Sequence, residues 1–276
     1  MKKRLSSIFI IIVFFAGLSL LLYPTVSDYI NSLNHRNTIS EYSNTVESLD
    51  IKDREKMLAA AIEYNKQLAA KGLSSLLQLS GDEWEKYYSL LNISGDGLMG
   101  YVDIPSIDVS LPIYHGTDET VLQIGVGHLE ASSLPVGGES SHSVISGHRG
   151  LPSAKLFTNI DRLVEGNIFT IHVLGETFTY EVDQIEIVLP DEISSITIDK
   201  GQDYCTLITC TPYGINTHRL LVRGHRIENL PESTDNEVGS AQTYSKLVSP
   251  LILVGIVEIP VLLVIIMLTI TKKRKK

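Results

Sequence analysis

The sequence predicts a mainly β protein held at a membrane by helices at both ends. Three observations carry this. Short apolar runs separated by turn residues fill the chain from residue 95 onward, a long apolar run lies near each terminus, and helical periodicity occupies the stretch before the β region.

The first apolar run is 5–23, preceded by Lys2, Lys3 and Arg4. About 20 apolar residues cross a bilayer core as a helix. A cleaved signal peptide is the alternative, but such peptides end in small residues. This run ends Leu20-Leu21-Leu22-Tyr23-Pro24, so an uncleaved anchor is expected. The second run is 251–270, interrupted by Glu258 and Pro260 and followed by Lys272, Lys273, Arg274, Lys275 and Lys276. Basic flanks stay cytoplasmic. Both termini are therefore expected inside, with about 25–247 on the extracellular face.

Between the first span and the β region, Ile39, Tyr42, Val46 and Leu49 recur at spacings of 3 or 4, the mark of a helix. Residues 53–71 continue in strong helix formers and stop at Gly72. Residues 73–95 read as irregular and contain Asp82-Glu83 and the only tryptophan, Trp84.

Eight strands are expected, at 100–104, 109–113, 143–146, 168–173, 178–182, 185–188, 204–210 and 219–226. So many short strands with few helical windows imply a barrel or a sandwich. One short helix, 153–163, is expected within them. The expected organisation is an anchor at 1–24, a helical, lid-like segment at 25–94, a β domain at 95–229, a linker at 230–246 and a second anchor with a basic tail at 247–276.

Composition narrows the function. Of 276 residues, 43% are hydrophobic and 20% charged, which excludes a disordered or collagen-like chain. A net charge of −9 argues against nucleic acid as a partner, since phosphate binding needs basic surface. Setting aside the terminal basic clusters and Glu258 leaves 15 basic and 31 acidic residues, so the outside region is near −16. Two cysteines are too few for a disulfide scaffold or a Cys-based structural zinc site, and no other metal-ligand spacing occurs. No cofactor is expected.

Cys210 ends a predicted strand just before Thr211-Pro212-Tyr213-Gly214. A thiol held by a strand and opened to a loop is well placed as a nucleophile. The alternatives are a space-filling cysteine and a disulfide with Cys205. Five strand residues separate the two by about 16 Å, and the odd offset points them to opposite faces, so a bond is not expected. His148 lies in Ser146-Gly147-His148-Arg149-Gly150, just past a strand, and Arg219 lies nine residues beyond Cys210 across a possible hairpin. These are the candidate base and the candidate oxyanion donor. His218 is adjacent to Arg219 and faces the other way on a strand.

Thr206-Leu207-Ile208-Thr209-Cys210, with His148 upstream and Arg219 downstream, resembles the TLxTC signature of sortases. Residues 95–101, 111–117, 125–130, 146–156 and 210–219, and the second span, look like the pilin-assembling class C members. The resemblance covers about 95–227. It implies a closed eight-stranded β-barrel with short helices and a transpeptidase on a Gram-positive surface. That enzyme would cut an LPxTG-like signal between Thr and Gly, with Cys210 as nucleophile, His148 as general acid/base and Arg219 holding the substrate carbonyl or oxyanion. The implied partners are pilin subunits, whose lysine amine resolves the thioester. Anchoring to a peptidoglycan precursor, or a non-enzymatic surface adhesin or sensor, are the other readings. The class C lid motif, Asp-Pro-aromatic, has no counterpart here. Residues 40–95 contain no proline, and Asp82-Glu83-Trp84, the nearest acidic-aromatic group, reads equally as a helix start.

Overall fold

A computed structural model describes residues 2–71, 81–130, 132–192 and 194–229. The predicted second span, its basic tail and the linker before it lie outside these residues. The chain divides into two units, one of which, Asn31–Leu230, contains the β domain, while Met1–Ile30 belong to the other.

Helix α1 runs Lys2–Ser48 with Pro24 inside it, and α2 runs Ile51–Lys71. Among the described residues, α1 is the one helix long and apolar enough to cross a membrane.

The strands are β1 (Leu98–Ile104), β2 (Val109–His115), β3 (Val126–His128), β4 (Ser141–Ser146), β5 (Ile168–Val173), β6 (Glu176–Val188), β7 (Asp203–Thr211) and β8 (His218–Arg226). They close in the order β1-β2-β3-β4-β7-β8-β6-β5. The fold is therefore the closed eight-stranded barrel and not a sandwich. Closure removes the unpaired edges that a sandwich must protect.

Alternation explains the core. In β5, Phe169, Ile171 and Val173 are buried while Ile168, Thr170 and His172 are not. Leu207 of β7 and Val222 of β8 are register partners, and both are fully buried. Phe169 stacks on Tyr180 of β6 with ring centroids 5.5 Å apart.

Five elements differ from the expectations. The two strands expected at 178–182 and 185–188 are one strand, β6, whose pairing with β8 slips between Val182 and Gln184. A bulge there bends the strand and interrupts its alternation, so it reads as two. The missing eighth strand is β3, three residues long, too short to show a period. The helix expected at 153–163 is a series of turns ending in a 3-10 turn, Ile160–Arg162. Its backbone bonds, from Thr158 to Lys155, Ile160 to Phe157 and Leu163 to Ile160, span three residues, and Leu156 has φ +38°. Its apolar residues Ala154, Leu156, Phe157, Ile160 and Leu163 are nevertheless buried. Finally, Gly81–Ser89 within the supposedly irregular 73–95 form helix α3, and a short helix α4 spans Glu119–Ile124.

The helices are fastened by buried polar contacts. Tyr42 of α1 donates to the Met99 carbonyl (2.8 Å) and accepts from the Leu174 amide (2.9 Å), linking β1 to the β5–β6 turn. Asn65 of α2 makes both amide bonds to Leu134, at 3.0 and 2.7 Å. Tyr87 of α3 is fully buried, and its hydroxyl lies 2.9 Å from Nδ1 of His128. Nε2 of His128 lies 2.8 Å from the Ser133 carbonyl, so Nε2 carries the proton and Nδ1 accepts from Tyr87. Burial lowers the pKa of His128 to about 3, so it is neutral.

Candidate active site

The site lies where β4 and β7 end and β8 begins. Along β7, Cys205 and Leu207 point into the core and are fully buried. Cys210 alternates with them onto the other face and is half-buried. Both cysteines are free, as the odd offset requires. Burial pushes the Cys205 thiol pKa far up, which leaves it a packing residue.

The antiparallel β7–β8 ladder pairs Cys210 with Arg219 and Thr211 with His218. Residues directly opposite in such a ladder share a face. Arg219 therefore stands beside Cys210, and His218 belongs with Thr211 on the other face. The Arg219 guanidinium donates to the carbonyls of His218 (3.2 Å) and Asn216 (3.4 Å), folded against its own hairpin.

β4 is parallel to β7, with Ser146 opposite Ile208. The chain keeps that register past the strand end. The Gly147 amide donates to the Ile208 carbonyl (3.0 Å), and Thr209 Oγ1 donates to the Gly147 carbonyl (2.7 Å). Arg149 donates to Thr211 Oγ1 at 3.2 Å. His148 lies between these contacts, so its backbone is level with Cys210. Neighbouring strands are about 4.8 Å apart, which brings all three predicted site residues into one cluster.

The His148 segment is tightly fixed. Its carbonyl accepts from the Phe157 amide at 3.1 Å. A Cβ on Gly147 would fall 2.7 Å from the Phe157 ring and 2.9 Å from Val126, so only glycine fits there. The Arg149 side chain, 10% exposed, is ion-paired with Asp161 and lies over the Tyr213 ring. It ties the β4–β5 connection to the end of β7. Sequence reading placed Arg149 within a motif without giving it this role.

Two features near the site were not expected. Glu119, the first residue of α4, brings Oε2 to 3.5 Å from Nε2 of His148. That is ion-pair range, at the far limit of a hydrogen bond, and the buried Nε2 has no closer partner. Asp118, which caps α4, was the available signal, since an Asp N-cap marks a helix start. A cavity of about 430 Å³ is lined by residues including Arg149, Ile187, Thr211, Tyr213 and Leu220. Thr211 and Leu220 alternate with Cys210 and Arg219, so the β7–β8 ladder separates the cavity from the thiol.

Asp82, Glu83 and Trp84 form the first turn of α3, with Trp84 stacked on Tyr88 at 5.8 Å between centroids. The group is thus a helix start, with Trp84 partly exposed.

Comparison with known proteins agrees with this architecture. A family model described as a sortase domain matches residues 102–227. Sortase C1 from Streptococcus agalactiae is 51% identical, with a TM-score of 0.68, over 70% of this chain and 100% of that one. Sortase C from Streptococcus pneumoniae is 43% identical, with a TM-score of 0.62, over 71% of this chain and 99% of that one. A sortase D from Bacillus subtilis is 34% identical over 131 residues, 46% of this chain and 63% of that protein. The chain spans about 60% of the length of several curated relatives that it matches. Closed barrel, strand-end cysteine and these likenesses agree: the chain belongs to the sortase family of cysteine transpeptidases, and the solved members it resembles here are class C sortases.

Proposed function

We propose that this sortase joins pilin subunits. It would cut an LPxTG-like sorting signal between Thr and Gly and transfer the new carboxyl end to a lysine of the next subunit. The observation that carries this reading is the convergence of Cys210, Arg219 and the His148 segment at one end of three adjacent strands. The likeness to class C sortases, one described in terms of pilin substrate specificity, supports the choice of partner.

In this mechanism the Cys210 thiolate attacks the threonine carbonyl. Arg219 turns from its own hairpin carbonyls to the developing oxyanion, offering planar, permanently charged donors. His148, as imidazolium, gives its proton to the departing glycine amine, and the C–N bond breaks to leave a thioester on Cys210. The incoming lysine amine loses a proton to His148 as it attacks, and the thiolate leaves. Aminolysis outruns hydrolysis only if water reaches the thioester poorly.

The domain assignment follows the same reading: a catalytic barrel at 95–229 outside the cell, anchored through 1–24 and again through 247–276, with both termini cytoplasmic. The purified full chain, incubated with a sorting-signal peptide, should gain the mass of the cleaved peptide on Cys210. Co-expression with pilins should give a heat-stable ladder on denaturing gels. Thioester without a ladder, with transfer to a cell-wall precursor amine, would move the acceptor to peptidoglycan. No thioester at all would remove the enzymatic reading.

A further inference from the structure

We propose that Glu119 is a positioning residue for His148, holding the imidazole through its buried Nε2. The inference rests on His148 being the acid/base of the proposed reaction.

The argument begins with an unmet need. Nε2 of His148 is buried and makes no hydrogen bond, although a ring that shuttles protons must carry one on each nitrogen in its charged form. A buried N–H⁺ without an acceptor is costly. The Glu119 carboxylate lies 3.5 Å from that nitrogen, so a small rotation of either side chain completes a charge-assisted bond.

The carboxylate is also held in place. Gln123, one turn along α4, donates to Glu119 Oε1 at 2.5 Å, leaving Oε2 for the histidine. Gln123 first, and the His148 charge second, hold the Glu119 carboxyl below its ordinary range, so it is ionised at neutral pH. The helix itself is fixed at both ends. Asp118 accepts from the amides of Thr120 and Val121, at 2.9 and 3.2 Å, and the Ile124 carbonyl lies 3.0 Å from Nε2 of His35 of α1. Next to Ile124, Gly125 has no room for a side chain, because a Cβ would sit 2.8 Å from the Pro112 carbonyl oxygen. α1 also reaches the loop that follows His148, where Asn31 donates to the Ser153 carbonyl at 2.8 Å.

Other charges near the imidazole are accounted for. Cys210 of β7 and Arg219 of β8 lie level with His148, and Arg149 is ion-paired with Asp161. Among the described residues, Glu119 is the carboxylate within ion-pair range of the ring. It is exposed, so the coupling is modest and screened by salt.

Two measurements on the full chain in detergent test this. The first is an NMR titration of the ¹³C-labelled His148 ring, assigned by loss of its signal in His148→Gln. The second is the pH dependence of thioester formation with a sorting-signal peptide. In Glu119→Gln the His148 midpoint should fall by about 0.5 pH unit at low salt. The limb of the acylation profile that reports His148 should move the same way, with KM unchanged. Glu119→Asp should recover part of the shift, and high salt should erase it. A Glu119→Gln midpoint within about 0.2 unit of the parent would overturn the inference, as would a shift that high salt leaves intact. If the parent forms no thioester, the functional reading fails, while the ring titration still decides the role of Glu119.

Discussion

Cys210 and Arg219 face each other directly across the β7–β8 ladder, the thiol near the end of one strand and the guanidinium near the start of the next. The hairpin between them contains Thr211-Pro212-Tyr213-Gly214-Ile215-Asn216-Thr217-His218. A thiol and a guanidinium are thus set side by side by backbone hydrogen bonds, before any side-chain contact.

The two cysteines should behave oppositely. Cys210→Ala should abolish thioester capture and leave the melting temperature near the parent value. Cys205→Ala removes a fully buried group from the core and should cost on the order of 1 kcal/mol of stability, with most activity kept. Intact-protein mass spectrometry and thermal melts would separate these effects. Normal capture by Cys210→Ala would end the assignment.

If Arg219 stabilises the oxyanion, Arg219→Ala should slow single-turnover acylation by about 10²–10³. Peptide affinity should change much less. Arg219→Lys keeps charge without the planar fork and should recover only part of the rate. His218→Ala should be mild, because its register partner is Thr211 on the opposite face. A larger loss in His218→Ala than in Arg219→Ala would contradict this placement.

Gly147→Ala should damage activity more than stability. The added Cβ would meet the Phe157 ring at 2.7 Å, and overpacking of this kind costs about 1–3 kcal/mol. Relief requires the segment carrying His148 to shift, and if His148 is the acid/base, small displacements of it are expensive in rate. Acylation rates beside urea unfolding curves would check this, and a proportionate loss in both would argue against it.

His128 should make the domain acid-sensitive. Its pKa is near 6.5 when unfolded and about 3 when folded, so the unfolded chain binds more protons between these values. Stability is complete above about pH 6.5 and falls as pH drops, by up to about 1.4 kcal/mol per pH unit, levelling off near pH 3. In His128→Gln the decline between pH 6.5 and 4 should be shallower, measured by thermal melts. Parallel curves for the two proteins would locate the acid sensitivity elsewhere.

The sequence by itself determined the class of the fold and the membrane-grade N-terminal helix, and it named the candidate triad, because each is written in local patterns. Short apolar runs marked β5 and β7, the odd spacing of Cys205 and Cys210 set them on opposite faces, and an uncharged apolar run marked the start of α1. The strand pattern left barrel and sandwich open and the family resemblance implied closure; the tertiary structure shows it in pairings such as β1 with β5 that no local period encodes. It also decided that 178–188 is one bulged strand, because the bulge breaks the period along which a strand is read. The turns at 153–163 bury their apolar residues without a helix, so burial there followed packing around Phe157 and not helical repeat. Glu119 was invisible as a partner of His148 for the same reason. The two are 29 residues apart, and only the docking of α4 beside the end of β4 brings carboxylate and imidazole within 3.5 Å.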